Sequence, residues 1–399
     1  MSPMSGRKAV SFLLSSGICI LCSFAAGLSL AQSRNEVTGG EVIVEPATLR
    51  SLGFEWPIEG DADRDAVAWI EYRAKDQGEW RSGLPLLRLH GERTVFWDSL
   101  DYTAPNMFAG SLLNLTPDTE YSVRLTLTDP DGTHGVTERI VSVRTRAEPE
   151  PFSGGATYHV YPPGFDGPME EPAFGGLLAA YYTAAIGGDW SRASPPRVQP
   201  GDRIVVHAGV YRDDRTHDSH DIMSDVTSCC STPWNGTYFL SQGGTAERPI
   251  AIVAAGDGEV VFDGDGNDVL FNVMAADHLY FEGITFRNTT TAIEAGQKHI
   301  AGAKGLVVKR ARFEDVGIAV HSDWSGSSGF FITDNVMIGR QPLDEVYGWV
   351  PQPPWVDRPD YDEKKRLRSY YAVSIYGSGH IVAYNYVTGF HDAIDHATY

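Results

Sequence analysis

The sequence has few cysteines for a chain of 399 residues: it has four. Cys19 and Cys22 lie near the N-terminus, and Cys229 and Cys230 are adjacent, where a bond between neighbours would close a strained ring. This is not the disulfide framework that stabilises small secreted domains. Stability must therefore come from buried area, and a chain of this length can bury enough of it. The length also argues for two or more domains.

Basic residues are also scarce. The chain has 32 Lys and Arg against 52 Asp and Glu, which gives a formal net charge of −20. Nucleic acids bind proteins mainly through Lys and Arg, so we expect no nucleic-acid partner. A polyanionic glycan would also be repelled unless a bound cation or a local basic patch reverses the field. Lys364–Arg368 is the one basic run, and it either attracts an anionic glycan or is a solvated helix face.

Long apolar runs are absent except at the N-terminus, where Ala9–Leu28 carries no charge. Two basic residues precede this run, and the small residues Ser29 and Ala31 follow it, as at a signal-peptidase site. We therefore predict that residues 1–31 are a signal peptide, that the protein is secreted or periplasmic, and that it makes no stable membrane insertion. A membrane anchor is the alternative interpretation of the run.

Residues 35–147 contain short strand-like segments separated by turns, with no helical period. The alternation of apolar and polar residues is clearest in Tyr121–Thr128, and the turn Asp129–Gly132 follows directly. Regular strands with turn punctuation predict a β-sandwich.

A family resemblance appears within this segment. Leu115–Arg124 resembles the fibronectin type III stretch in which a tyrosine, here Tyr121, forms a corner between two sheets. Trp56 stands where that family often has a buried tryptophan, and Val141–Thr145 resembles its last strand. The resemblance implies a spacer or docking module and not a catalyst, a role that is common beside secreted carbohydrate-active enzymes.

Residues 155–399 contain an internal repeat. The repeated segments start 27, 24 and 50 residues apart, and they are Leu279–Asn288, Leu306–Asp315, Phe330–Gly339 and His380–Gly389. A coil of three short strands takes about two dozen residues and buries its apolar face against its neighbours. Two steps fit one coil each and the third fits a coil with an insertion, so the repeat predicts a solenoid.

A short helix from Leu177, a turn and the strand-like segment Pro200–Tyr211 precede the repeat. This order resembles the start of right-handed parallel β-helix proteins of the pectate-lyase-like superfamily, where a helix covers the first coil. The resemblance implies an all-β chain, a fibronectin type III-like β-sandwich followed by a right-handed parallel β-helix over residues 155–399, and a polysaccharide substrate. Asn335 and Asn385 fall at equivalent places, as in an asparagine ladder.

The chain stops at Tyr399, directly after a strand of the last visible coil. An uncapped coil leaves an unpaired sheet edge. We therefore expect the natural protein to continue and the solenoid to be truncated at its C-terminal end.

The resemblance places a site on the outer face of one parallel sheet. The strand before each long turn aligns so that Glu294, His321 and Asp395 form one column on successive coils, with Ser374 between them. Residues stacked in this way are about 4.8 Å apart per coil and could act on one sugar. The alternative is a row of solvated side chains.

The densest group of ionisable residues is His391, Asp392, Asp395 and His396. Two carboxylates with flanking imidazoles can share a proton or bind a divalent cation. We predict Ca²⁺ as a cofactor, with Asp392 and Asp395 as its ligands.

An inserted segment, residues 341–371, carries aromatic residues and several prolines. Aromatic side chains on a stiff loop form a stacking surface for sugar rings, while packing of the loop against the solenoid is the alternative. The predicted substrate-binding residues are Tyr347, Trp349, Trp355 and Tyr361.

The sequence therefore predicts a secreted polysaccharide lyase that cleaves a uronate-containing glycan by β-elimination, with His321 or His391 as the base. A glycoside hydrolase on the same scaffold and a non-catalytic glycan-binding or adhesin solenoid are the alternatives. Nothing in the sequence sets the oligomeric state. The candidate catalytic residues are Glu294, His321, His391, Asp392, Asp395 and His396.

Overall fold

The computed structural model describes residues 35–75, 78–96, 100–183, 195–212, 237–298, 301–340 and 371–397. The secondary structure in these ranges is almost entirely β, which confirms the all-β prediction. The chain divides into two compact units, unit 1 (Met1–Glu148) and unit 2 (Pro149–Tyr399). Within the described ranges, no helix is both long enough and apolar enough to cross a membrane.

The strands of unit 1 are short, and most pair with antiparallel neighbours. They are β1 (Val37–Gly39), β2 (Ile43–Val44), β3 (Leu52–Gly60), β4 (Val67–Ala74), β5 (Arg81–Ser82), β6 (Leu87–His90), β7 (Arg93–Phe96), β8 (Leu100–Thr103), β9 (Asn106–Leu112), β10 (Glu120–Thr128), β11 (Thr133–Gly135) and β12 (Glu138–Arg144).

Two sheets make the body of unit 1. The first has the strand order β11-β1-β3-β9-β6, with β2 also paired to β3, and the second has the order β12-β10-β4-β5. Strands β3 and β10 alternate between buried and more exposed residues, as strands with one face on a core do. Buried side chains of both sheets, among them Phe54, Trp56, Val123 and Leu125, share one core. The two sheets therefore form a β-sandwich.

Two large aromatic residues of this core also satisfy their polar atoms. The Tyr121 hydroxyl accepts a hydrogen bond from the Thr116 N–H at 2.9 Å, which ties the start of β10 to the preceding turn. Trp56 is fully buried, and its Nε1–H donates to the Gly40 carbonyl at 2.9 Å. Each ring therefore adds buried apolar area without leaving an unpaired donor or acceptor.

The described residues of unit 2 form mainly parallel strands, with one short helix at the start. The elements are β13 (Thr157–Tyr161), β14 (Ala173–Gly175), α1 (Leu177–Tyr181), β15 (Arg203–Val206), β16 (Gly209–Tyr211), β17 (Tyr238–Phe239), β18 (Ile250–Ala254), β19 (Val260–Asn272), β20 (Leu279–Glu282), β21 (Ile284–Gln297), β22 (Ala301–Gly302), β23 (Val307–Lys309), β24 (Arg312–Ser322), β25 (Phe331–Thr333), β26 (Val336–Gly339), β27 (Tyr371–Tyr376), β28 (Ile381–Ala383), β29 (Tyr386–Thr388) and β30 (Asp392–Ala397).

These strands form two parallel sheets. Sheet A has the order β14-β13-β15-β18-β20-β23-β25-β28, and sheet B has the order β16-β19-β21-β24-β26-β29, extended by β27 and β30. Successive strands of each sheet come from successive stretches of chain, so each turn of the chain adds one strand to each sheet. The four segments of the sequence repeat contribute β20, β23, β25 and β28, which are neighbours in sheet A, and the predicted stacking of coils is confirmed.

The core of unit 2 consists of apolar rows that run along the stack. In sheet B the register aligns Phe262, Phe286, Phe313 and Met337, all fully buried. The rings of Phe286 and Phe313 stack at 5.0 Å. Burial of each such side chain stabilises the fold by about 1.5–3 kcal/mol, and each row depends on the coils on both sides of it.

The passage from sheet A to sheet B is a sharp turn that recurs in each coil. The residue at the turn has a positive φ of 72° at Gly283, 49° at Arg310, 57° at Asp334 and 58° at Tyr384. Asparagines follow at two of these turns: the Asn335 side chain donates to the Val308 carbonyl at 3.0 Å and to Asn385 Oδ1 at 2.9 Å. The predicted asparagine ladder is therefore confirmed.

Strand β24 is long enough to face two separate strands. Its first half pairs with β26 and its second half, from Ile318 to Ser322, pairs with β27. Residues 340–370 join these two partners, so the predicted insertion interrupts one strand row, and the pairing of β24 with β26 shifts register between Glu314 and Val316. Tyr371, which the sequence assigned to the insertion, is the first residue of β27.

Candidate active site

One position of sheet B carries a polar residue on successive strands. We name these residues the polar column. The parallel register places at this position, in order, Asn272, Glu294, His321, Ser374 and Asp395. Neighbouring members are about 4.8 Å apart, so the column spans about 19 Å along the stack.

The polar column faces away from the core. Ile293 and Ala295 flank Glu294 and belong to the apolar core, as does Val320 beside His321. Since side chains alternate along a strand, Glu294 and His321 point to the other face of sheet B. The Glu294 side chain is 5% exposed and that of His321 is 17% exposed. The carboxylate is thus almost removed from water, while the imidazole reaches the surface.

Glu294 and His321 are in direct contact. Nδ1 of His321 lies 3.0 Å from Oε2 and 3.1 Å from Oε1 of Glu294. A neutral imidazole that donates its Nδ1–H to a carboxylate carries its lone pair on Nε2, and the carboxylate also stabilises the charged ring once Nε2 takes a proton. This arrangement, the Glu294–His321 dyad, is that of an oriented general base.

A tight hairpin closes one end of the dyad. Gly296 pairs with Gly302 across the hairpin of β21 and β22. A Cβ on Gly296 would lie 2.2 Å from the Ser322 hydroxyl, and one on Gly302 would lie 2.5 Å from the Trp324 ring. Both positions therefore need glycine for the hairpin to fit under Trp324.

Two further residues lie just beyond the column, and the sequence did not single them out. Lys298 follows the end of β21, and its Nζ is 5.6 Å from the centre of the Tyr376 ring, at the end of β27. Both strands contribute to the polar column, so this cation and this ring lie at the same edge of sheet B. The available signal was spacing, since Lys298 is four residues after Glu294 and Tyr376 is two residues after Ser374.

The column spacing limits which pairs of groups can act together. Glu294 and Asp395 are three strands apart, which is roughly 14 Å between backbones. The paired carboxyl groups of glycosidases are about 5–9.5 Å apart. Glu294 and His321, in contrast, already touch.

The members of the cluster at the end of the chain fall at different register positions. Asp392 pairs with Tyr371 in the register, whereas Asp395 pairs with Ser374 and His396 with Ile375. Nδ1 of His391 lies 2.8 Å from Oδ2 of Asp392. The side chains of Asp395 and His396 lie outside the described residues, so the predicted Ca²⁺ ligands stay a prediction.

The predicted aromatic binding residues also lie outside the described residues. They are Tyr347, Trp349, Trp355 and Tyr361. Their role in sugar stacking stays a prediction.

Another carboxylate of sheet B is held in a different way. Asp263 is 2% exposed and accepts hydrogen bonds from Arg212 at 2.5 Å and Arg287 at 2.9 Å. Burial alone would raise the pKa of Asp263, but the Asp265 N–H and the two guanidinium groups outweigh it and lower this pKa to about 2. A carboxylate so strongly held as an anion is a structural group and not an acid or base near neutral pH.

Within the described ranges, one group of three acidic residues could hold a metal ion: Asp61, Asp63 and Asp65, in unit 1. Their carboxylate oxygens lie within 4.8 Å of one another. Asp61 already accepts the Ala66 N–H at 3.1 Å and Arg88 Nε at 2.5 Å, and the other two residues are exposed. Such surface groups are common without an ion.

Comparisons with known proteins add little. No family model matches the sequence, and no curated protein matches it. A solved structure, the Family 28 exopolygalacturonase of Yersinia enterocolitica, is similar at 11% sequence identity and a TM-score of 0.18, covering 75% of this chain and 80% of that one. A score this low carries no argument about the site. The class of protein that the strand register itself defines is a two-unit chain with a parallel β-solenoid.

Proposed function

We propose that the protein is a polysaccharide-active enzyme whose catalytic centre is the Glu294–His321 dyad. The contact between His321 Nδ1 and the Glu294 carboxylate, at 3.0 Å, is the observation that carries the proposal. The polar column extends about 19 Å on one sheet face, which suits an extended polymer better than a small molecule. An imidazole has a proton affinity suited to general base catalysis near neutral pH.

Elimination is the reaction that the dyad supports best. His321 Nε2 would take the C5 proton of a uronate, the electron pair left on C5 would form the C4–C5 double bond, and the C4–O bond would break. The leaving oxygen would take a proton from solvent or a neighbouring acid. Lys298, at the same sheet edge, is the cation that would balance the uronate carboxylate as charge builds up at C5.

Hydrolysis is the second candidate reaction, and its centre would lie at β30, the last strand that the structure describes. A Glu294 and Asp395 pair is disfavoured by their separation of roughly 14 Å. The contact between His391 and Asp392, at 2.8 Å, is what favours a hydrolytic centre elsewhere on the same sheet. A non-catalytic glycan-binding solenoid is the third candidate, and it rests on the aromatic residues of 341–371.

For unit 1 we propose a fibronectin type III-like module that acts as a spacer or docking domain. The Tyr121 contact with Thr116 at 2.9 Å and the buried Trp56 support this. Secretion by way of the signal peptide at residues 1–31, and Ca²⁺ at Asp392 and Asp395, are part of the same proposal.

The first experiment is a screen of the purified protein on pectic, alginate-like, glycosaminoglycan and neutral glycans, with and without Ca²⁺ or EDTA. Ultraviolet absorbance of unsaturated uronates and new reducing ends are followed together. Absorbance with reducing ends supports elimination, and reducing ends alone support hydrolysis. Product on no glycan overturns the enzyme proposal.

Variants then locate the centre. We expect His321→Gln to lower kcat by about 10²–10⁴-fold, because a general base contributes that much. His134→Gln is the matched control, since His134 also contacts a glutamate, Glu36, at 3.1 Å but on the surface of unit 1. Equal activity of the His321 and His134 variants contradicts the assignment.

A further inference from the structure

One outer face of unit 1 carries two tryptophans that the fold does not fully bury. The face belongs to the sheet β12-β10-β4-β5, and we name it the tryptophan face after Trp69 and Trp80. Ala68 and Ile70 of β4 belong to the core, so alternation turns Trp69 between them to the outer side. The Trp69 residue is 50% exposed. Trp80, directly before β5, is half-buried.

Two guanidinium groups hold the Trp80 ring on this face. Arg124 lies between the core residues Val123 and Leu125, so its side chain stands on the outer side of β10. The centre of the Trp80 ring is 4.1 Å from the guanidinium carbon of Arg124 and 4.6 Å from that of Arg73. Cation–π contacts of this kind keep ring and cations together, so the face is ordered before any ligand arrives.

Polar groups border the Trp69 ring. In the register Thr126 lies opposite Trp69, and Arg124 lies opposite Glu71, two positions further along. Nη1 of Arg124 donates to Oε2 of Glu71 at 3.1 Å. Two residues of a strand span about 7 Å, so this pair lies beside the ring on the same side of the sheet. The apolar ring is thus bordered by a hydroxyl, a carboxylate and a guanidinium.

This combination limits which ligand fits. The cores of protein–protein interfaces are depleted of charged residues, whereas charged side chains border the ring here. The net charge of −20 disfavours nucleic acid. A sugar ring has an apolar C–H face and a rim of hydroxyls, which matches an aromatic ring bordered by hydrogen-bond donors and acceptors. Three ion pairs compensate their charges within the face, which favours an uncharged sugar: Lys75–Glu120, Glu71–Arg124 and Asp118–Arg144.

We propose that the tryptophan face binds an uncharged polysaccharide, with sugar rings stacked on Trp69. The hydroxyls of the sugar bond with Thr126 and with the Glu71–Arg124 pair. This inference gives a partner to the docking role that we propose for unit 1, and it does not depend on the Glu294–His321 dyad.

The test measures depletion of the full chain from solution by cellulose, xylan, mannan and β-1,3-glucan, each as an insoluble powder. We expect retention by at least one of these polymers, and the retention should persist in about 1 M NaCl, because salt screens charges and not stacking. Retention by none of them, or retention that salt abolishes, overturns the proposal. A chain that cleaves glycans in the activity screen but is not retained contradicts this proposal alone.

Variants then locate the binding. Trp69→Ala should weaken it by at least about tenfold, because tryptophans often dominate the energetics of binding surfaces, and Trp69→Phe should keep part of it. The matched control is Tyr102→Ala, since Tyr102 is also an aromatic residue of unit 1, 53% exposed, but lies on β8, which pairs with β7. Thermal unfolding checks that each variant is folded. If Trp69→Ala binds as the wild type does, or if Tyr102→Ala loses as much, the proposal is wrong.

Discussion

The two units differ in how many of their polar side chains are covered, although unit 1 also has one covered carboxylate, Asp61. In unit 1 the outer strand β12 is largely exposed, and the ion pairs Lys75–Glu120 and Arg93–Asp101 lie on the surface. In unit 2, several polar residues are covered: Asp263, Asn335 and Glu294 are each 4% exposed or less over the whole residue. An antiparallel sandwich leaves its outer faces to water, whereas the stacked coils here bury polar groups that must then find partners.

This difference makes the partners of a buried polar residue informative in unit 2. Asp263 contacts two guanidinium groups and a backbone N–H, and Asn335 bonds backbone atoms of neighbouring coils. Both are saturated by structural partners. Glu294, in contrast, contacts a titratable imidazole that reaches the surface. The partner, and not the burial alone, therefore distinguishes the carboxylate that we propose as catalytic from the structural ones.

The largest effect on stability is expected at Asp263. Asp263→Ala should lower the free energy of unfolding of unit 2 by about 3 kcal/mol, because it removes the hydrogen bonds of a buried carboxylate to Arg212 and Arg287, whose partly exposed guanidinium groups water can still solvate. Denaturant titration measures this. The control is Asp101→Ala in unit 1, and equal losses at the two positions would erase the contrast between the units.

A loss of about 2–3 kcal/mol is expected for Asn335→Ala. The change leaves the Ala311 N–H and the Val308 carbonyl without their side-chain partner. Asn106→Ala in unit 1 is the matched control, since Asn106 is exposed and makes one side-chain bond, to the Gly60 carbonyl at 3.2 Å. If Asn335→Ala leaves the free energy of unfolding unchanged, the ladder aligns the coils without stabilising them.

Acid should weaken unit 2 through Asp263 by about 2 kcal/mol. The folded pKa of about 2 is below the unfolded value, so this stability is fully present above about pH 4 and is lost as the pH falls through 2. Unfolding free energies of the wild type and Asp263→Asn between about pH 5 and 2 measure it. The wild type should lose more on acidification, and parallel curves would contradict the prediction.

The smallest effect is expected at the surface of unit 1. Arg93 contacts Asp101 with two bonds of 2.6 Å across β7 and β8, yet both side chains are at least 60% exposed. A double-mutant cycle with alanine should give a coupling energy far smaller than the effect at Asn335, because water solvates both groups. Added salt should reduce it further. A coupling as large as that at Asp263 would show that geometry outweighs exposure.

The coils and the polar column were predictable because both follow from a fixed period. Segments that repeat at coil length stack, and strands aligned by their alternation placed Glu294, His321, Ser374 and Asp395 at one register position. Density of ionisable residues was a poorer guide. It grouped Asp392 with Asp395, which the register assigns to different columns.

Contacts that do not follow the repeat were not predictable, because their partners are far apart in the sequence and follow no period. Arg212 contacts Asp263, which lies 51 residues later near the start of the stack. His159 contacts His207, which lies 48 residues later, after α1. Lys298 and Tyr376 are brought to one edge only by the hairpin at β22 and the end of β27.

The pairing of β24 with both β26 and β27 bears on how such a protein can diversify. Residues 340–370 enter and leave the stack at two neighbouring points of one unbroken strand, beside the polar column. A segment of another length or composition could be exchanged there while the coils before and after it keep their alignment. Evolution could thus replace this segment as a unit and change the surface beside the polar column, while the strand pairing of the coils stays the same.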